Sequence, residues 1–179
     1  LYVCDNGWTQ QPDSPRFAER SKRTPYEGGI RTPIMVRWTG RIEPSWDTST
    51  LVSSIDLAPT ILDACGLATP KAMQGISLLN YDRVKERKTV FGGAYSHDAF
   101  DLDDPIQNLE ALWCVTTEWK LIVPAGPNAP ERAYELFHIS EDPREMTNLA
   151  AENAEKVEEL LALIRTWWPE GAATIHSPA

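Results

Sequence analysis

Asp5-Asn6-Gly7, followed by Lys22-Arg23-Thr24-Pro25-Tyr26-Glu27-Gly28-Gly29-Ile30-Arg31-Thr32-Pro33, gathers oxygen donors, cations and glycines within the first 33 residues. Leu1-Tyr2-Val3-Cys4 before it is a short apolar run, which reads as the end of a buried strand. A carboxylate and an amide therefore stand where a strand opens into a loop, the place where open α/β sheets put their chemistry. Lys22 adds a cation, and Gly28-Gly29 lets backbone approach another segment or a ligand closely. Hard oxygen ligands with an ammonium nearby make half of a site for a multiply charged oxyanion. Asp-Asn-Gly is also a common turn sequence, because Asn and Gly tolerate positive φ.

Working outward, the chain resembles the sulfatase family, the arylsulfatase-like members of the alkaline phosphatase superfamily. The resemblance rests on Asp5-Asn6-Gly7, on Lys22 four residues before Tyr26-Glu27-Gly28-Gly29-Ile30-Arg31, and on Pro33-Ile34-Met35-Val36-Arg37-Trp38. It continues through Ser54-Ile55-Asp56-Leu57-Ala58-Pro59-Thr60-Ile61-Leu62 and Gln74-Gly75-Ile76-Ser77-Leu78, and ends in Glu135-Leu136-Phe137, Glu141-Asp142-Pro143-Arg144-Glu145 and Asn148-Leu149. Sulfatases also carry a Cys or Ser followed by x-Pro-x-Arg, whose first residue becomes formylglycine. Cys4, Cys65 and Cys114 each lack that sequence. The resemblance therefore implies the C-terminal portion of a sulfatase, with the nucleophile expected upstream.

It further implies that Asp5 and Asn6 are ligands of a calcium ion (magnesium in some members) and that Lys22 is the catalytic, sulfate-binding cation. Arg23 is the rival of Lys22, and the spacing to Tyr26 favours Lys22. His97-Asp98 matches a pair that some carbohydrate-directed members use to contact substrate, and a structural turn is the equal alternative for His97. Glu27, Gly28, Gly29 and Arg31 read as structural, with Glu27 and Arg31 pairing locally. The expected partners are a sulfated small molecule or carbohydrate and the remainder of the catalytic domain. A periplasmic or secreted home follows from family alone. Two other functions remain open: a phosphonate or phosphate ester hydrolase of the same superfamily, and a non-catalytic degenerate homologue acting as a binding module.

The expected fold is α/β, the end of a large alkaline-phosphatase-like domain followed by a small α+β subdomain with an antiparallel sheet and one long C-terminal helix. Residues 1–80 are assigned to the first, 81–170 to the second, and 171–179 to a flexible tail. Asp56 is the expected N-cap of a helix that Gly66 stops, with Leu57, Ile61, Leu62 and Cys65 on a face covering a sheet. Val90–Tyr95, 113–116, 121–123 and 135–137 read as short strands, the middle two as a hairpin. Val157, Leu160, Leu161, Ile164, Trp167 and Trp168 recur at helical spacing until Pro169.

A net charge of −9 argues against a nucleic-acid surface, and no apolar run is long enough to span a bilayer. Three widely spaced cysteines offer no zinc or redox pair, and Cys65 reads as a buried small hydrophobe. Asp98, Asp101, Asp103 and Asp104 lack the spacing and glycine of a calcium loop and read as solvated.

Overall fold

A computed structural model describes residues 1–177. In chain order its elements are β1 (Tyr2–Val3), α1 (Glu27–Ile30), β2 (Ile34–Met35), α2 (Leu57–Ala64), α3 (Tyr81–Lys85), β3 (Val90–Tyr95), β4 (Leu109–Val115), β5 (Trp119–Pro124), β6 (Glu135–His138), α4 (Ala154–Trp167) and α5 (Pro169–Ala172). The protein is a mixed α/β structure with antiparallel sheets and a long helix towards the C-terminus. Its contacts form two units. One holds Leu1–Cys4 with Pro33–Val90, and the other joins Asp5–Thr32 to the chain from Phe91 onward. The segment carrying the quoted motif groups with the later strands.

In the larger unit β3, β4, β5 and β6 lie side by side in that order. The expected hairpin is present, with Cys114 opposite Leu121 and Leu112 opposite Val123. Strand geometry sends alternate side chains to opposite faces. Leu112, Cys114, Leu121, Val123 and Leu136 thus meet Val157, Leu160, Leu161 and Ile164 of α4 in one core. Each such fully buried aliphatic side chain contributes about 1.5–3 kcal/mol relative to exposure. Ala111, Ile122 and Phe137 face the other way and pack with Tyr26 and Trp113. That second face receives the motif segment.

The chain beyond 170, expected as a flexible tail, is tied down as far as it is described. Ile175 bridges to Ala125, the His176 amide donates to Pro124 O at 3.0 Å, and Tyr134 Oη donates to His176 O at 2.7 Å. Its backbone satisfies the sheet edge at Pro124 and Ala125, which composition alone does not reveal. Residues 178–179, also assigned to that tail, lie outside the described residues.

The smaller unit corrects three expectations. Leu1, Tyr2 and Val3 are exposed, and β1 pairs only with the short β2. On α2 the expected face is largely open, with Ile61 half exposed and Cys65 exposed, while Pro59 and Thr60 are the buried residues. Asp56 makes no side-chain cap to α2. Its buried carboxylate instead accepts from the Ser53 amide, the Ile76 amide and both terminal nitrogens of Arg87. A bidentate guanidinium with two backbone donors outcompetes a single capping bond.

Candidate active site

Asp5 stands exposed after β1, with its Oδ1 accepting from the Asn6 amide at 2.9 Å. Asn6 Nδ2 donates to Gly7 O at 2.9 Å. Gly7 is buried, and its amide donates to Gly29 O at 2.7 Å. A Cβ at Gly7 would lie 2.3 Å from Gly28 O, and one at Gly28 would lie 2.3 Å from Arg20 O. A Cβ at Gly29 would likewise lie 2.3 Å from Ser21 O, so close backbone approach requires all three glycines.

The same segment brings Lys22 back towards Trp8. Thr9 N donates to Ser21 Oγ at 2.5 Å, and Ala18 N to Thr9 O at 2.8 Å, folding the 9–25 loop back on itself. Lys22 Nζ then lies 5.8 Å from the ring centroid of Trp8, two residues beyond Asn6. Arg23 is exposed with φ of 68°, a left-handed backbone uncommon for a residue with a side chain.

Below this loop the segment is anchored to the second face of the sheet. Tyr26 Oη donates to both oxygens of Glu135, at 2.9 and 2.8 Å, with the Arg20 guanidinium 4.8 Å from its ring centroid. Burial first, and then the Glu135 carboxylate, push the Tyr26 hydroxyl up to about 12. Glu27 pairs weakly with Arg31 at 3.7 Å, as expected, but its stronger partner is Lys120 at 3.0 Å. Lys120 is fully buried on β5 and also lies 2.9 Å from Glu145 Oε1, an electrostatic contact short of hydrogen-bond geometry. Glu145 Oε2 accepts from the Glu27 amide at 2.5 Å. Burial raises the Glu145 carboxyl above its ordinary value, with the Lys120 ammonium working against that shift.

His97 follows β3 and is exposed, and its ring forms no hydrogen bond or ion pair among the described residues. Ser96 Oγ donates to Asp98 O at 2.8 Å, fixing the chain as a bend around it. The acidic loop beyond is organised by backbone bonds, with Asp101 Oδ1 accepting from Asp103 N and Asp104 N.

A family model described as N-sulphoglucosamine sulphohydrolase, C-terminal, matches residues 17–166. The chain belongs to the sulfatase family. Arylsulfatase K of Xenopus laevis is 31% identical over 162 residues, which are 87% of this chain and 29% of that protein. A protein solved in complex with its substrate D-glucosamine-2-N,6-O-disulfate is 28% identical with a TM-score of 0.60, covering 84% of this chain and 30% of that one. A second structure, from work on metabolism of multiple glycosaminoglycans by Bacteroides thetaiotaomicron, is also 28% identical, with a TM-score of 0.66 over 89% of this chain and 34% of that one. The sulfatases and neighbours matched here are thus about three times longer than the chain.

For a sulfatase, the oxygen donors of Asp5 and Asn6 suit a hard divalent cation. Calcium takes 6–8 oxygens, so these two fit as part of a shell. No group of three His, Cys, Asp or Glu with metal-binding geometry occurs among the described residues. No helix among them is long and apolar enough to cross a membrane. The sequence reading paired Glu27 locally with Arg31 and did not link it to Lys120 or Glu145. The available signal was that Lys120 adjoins the expected strand 121–123, whose alternation places it on the face opposite Leu121.

Proposed function

We propose that this chain supplies part of the metal and oxyanion site of a calcium-dependent sulfuric ester hydrolase acting on sulfated carbohydrate. The observation that carries the reading is the folding of Lys22 back beside Trp8, next to the Asp5-Asn6 turn, through the Thr9–Ser21 and Gly7–Gly29 bonds. The carbohydrate class is supported by the relative solved with D-glucosamine-2-N,6-O-disulfate. Asp5 and Asn6 would hold calcium, which when bound supplies positive charge beside a sulfate oxygen. The formylglycine nucleophile would be carried on a part of the enzyme other than these residues.

Lys22 acts here as a fixed point charge. Cleavage of the S–O bond moves negative charge onto the bridging oxygen, and a preorganised ammonium is worth most where that charge develops. His97 would contact the sugar from the exposed bend after β3 without touching the metal.

In the complete enzyme, Lys22→Ala should lower kcat/KM on a sulfate ester by roughly a hundredfold, and Arg23→Ala by far less. Asp5→Ala should weaken calcium binding and activity together, and Asn6→Ala should do so more mildly, since a neutral amide holds a dication less than a carboxylate does. Steady-state kinetics with calcium titration measure both. An unaffected Lys22→Ala enzyme, or faster turnover of a phosphonate ester than of any sulfate ester, would overturn the reading.

A further inference from the structure

None of Lys120, Glu27 and Glu145, which form a buried cluster, is assigned to metal or sulfate. We propose that Lys120 and Glu145 are positioning residues for the candidate site, holding the Asp5–Thr32 segment so that Asp5, Asn6 and Lys22 are presented together. The proposal rests on the assignment of those three residues made above.

Lys120 is fully buried on the sheet face away from α4, with its ammonium 3.0 Å from Glu27 Oε1 and 2.9 Å from Glu145 Oε1. Glu145 is 1% exposed. Two carboxylates sharing one cation in a dry site seldom stabilise a fold better than apolar residues would. Their value lies in geometry. Glu145 adopts φ of 56°, an uncommon conformation for a side-chain-bearing residue, and from it reaches the Glu27 amide at 2.5 Å. Glu27 is thereby held at both its backbone nitrogen and its carboxylate.

From Glu27 the constraint passes through a short rigid path. Gly29 O, two residues on, accepts the Gly7 amide adjoining Asp5-Asn6 at 2.7 Å. A Cβ at Gly29 would lie 2.3 Å from Ser21 O, so α1 also lies against the residue preceding Lys22. One cluster therefore bears on both halves of the site. Tyr26 provides a second anchor at Glu135, so loss of the cluster should loosen the segment without detaching it. Small misplacements of catalytic groups cost one to two orders of magnitude in rate.

The test uses the complete enzyme with Lys120→Met, Glu145→Gln and the double substitution, each assayed at a temperature where circular dichroism shows it folded. Hydrogen exchange of peptides covering residues 5–32 is followed alongside kcat, KM and calcium affinity. Lys120→Met should speed exchange in that segment about tenfold, leave β4 and β5 protected, and lower kcat about tenfold with little change in KM. The double variant, which restores the cluster's net charge of one carboxylate, should recover part of the protection and rate. If Lys120→Met does not fold, Glu145→Gln, which keeps an acceptor for the Glu27 amide, provides the same readouts with smaller effects. Unchanged exchange over residues 5–32 would overturn the proposal whatever happens to activity. Faster exchange with unchanged kcat would also overturn it. In that case a damaged Lys22→Ala enzyme would leave the site assignment standing, and a silent one would remove both.

Discussion

Replacing Gly29 with alanine sets two effects against each other in α1. Alanine is the better helix former, by about 1 kcal/mol, so propensity alone would make the substitution stabilising. The new Cβ would, however, stand 2.3 Å from Ser21 O, 2.5 Å from Thr24 O and 3.0 Å from Thr24 Oγ1. Ordinary carbon–oxygen contacts begin near 3.4 Å, so a backbone carbonyl must retreat by about 1 Å. Ser21 O is not free to move, because it accepts Thr24 Oγ1 at 2.6 Å and Thr24 N at 3.2 Å. Overpacking of this kind costs about 1–3 kcal/mol, which exceeds the propensity gain over most of that range. The bond from Gly7 N to Gly29 O is the first that relaxation would lengthen. The net local cost is therefore up to about 2 kcal/mol, which corresponds to up to roughly 30-fold faster exchange at the Gly7 amide. Hydrogen exchange with mass analysis of the peptide containing Gly7 measures it, with β4 as internal reference. Exchange at Gly7 equal to or slower than wild type would refute the reasoning, since helix propensity would then have won and the segment could not be pinned by those carbonyls.

Tyr26→Phe should change the alkaline limb of stability. The hydroxyl, held up to about 12 in the folded protein against an ordinary value of about 10, keeps its proton where the unfolded chain has lost it, so its contribution is complete below pH 10 and declines as pH rises towards 12. Comparing urea midpoints of wild type and Tyr26→Phe across that window should show the wild-type advantage shrinking with pH, and a constant difference would exclude the cause given. His97→Ala should leave calcium affinity unchanged and lower activity on a sulfated sugar while sparing a small aryl sulfate. Paired kinetics on the two substrates decide it, with equal losses pointing to the scissile bond and no loss returning His97 to a turn.

Much of the fold was legible because its signals are local. The alternation in Leu112, Cys114, Leu121 and Val123 and the spacing of Val157, Leu160, Leu161 and Ile164 each report one face of one element. Gly28-Gly29 announced close backbone approach, and Gly7 N to Gly29 O is the contact that needs it. The helix after Asp56 was also visible, but its buried side was not. Its apolar stripe named Ile61 and Cys65, whereas Pro59 and Thr60 are covered and Thr60 Oγ1 accepts from the Leu78 amide. Burial there follows the return of the 75–78 segment, which helix periodicity does not encode.

The charged cluster shows the same limit from the side of function. Glu27 offered an i,i+4 partner in Arg31, the pairing that sequence spacing suggests, and at 3.7 Å on an exposed guanidinium that pair is weak. Its buried partners are 93 residues away at Lys120 and 118 away at Glu145. A lysine inside Trp119–Pro124 breaks an otherwise apolar strand and reads as an edge or a mistake until the opposite face of the sheet is known. Once Tyr26 and Glu27 are laid on that face, the break has a reason: a strand covered on both sides can accept a cation only where carboxylates meet it. Glu27 and Glu145 do so, from segments on either side of the strand in sequence. A residue that contradicts its element's pattern is therefore a pointer to a distant partner, and in this chain the pointer leads back to the loop carrying Asp5, Asn6 and Lys22.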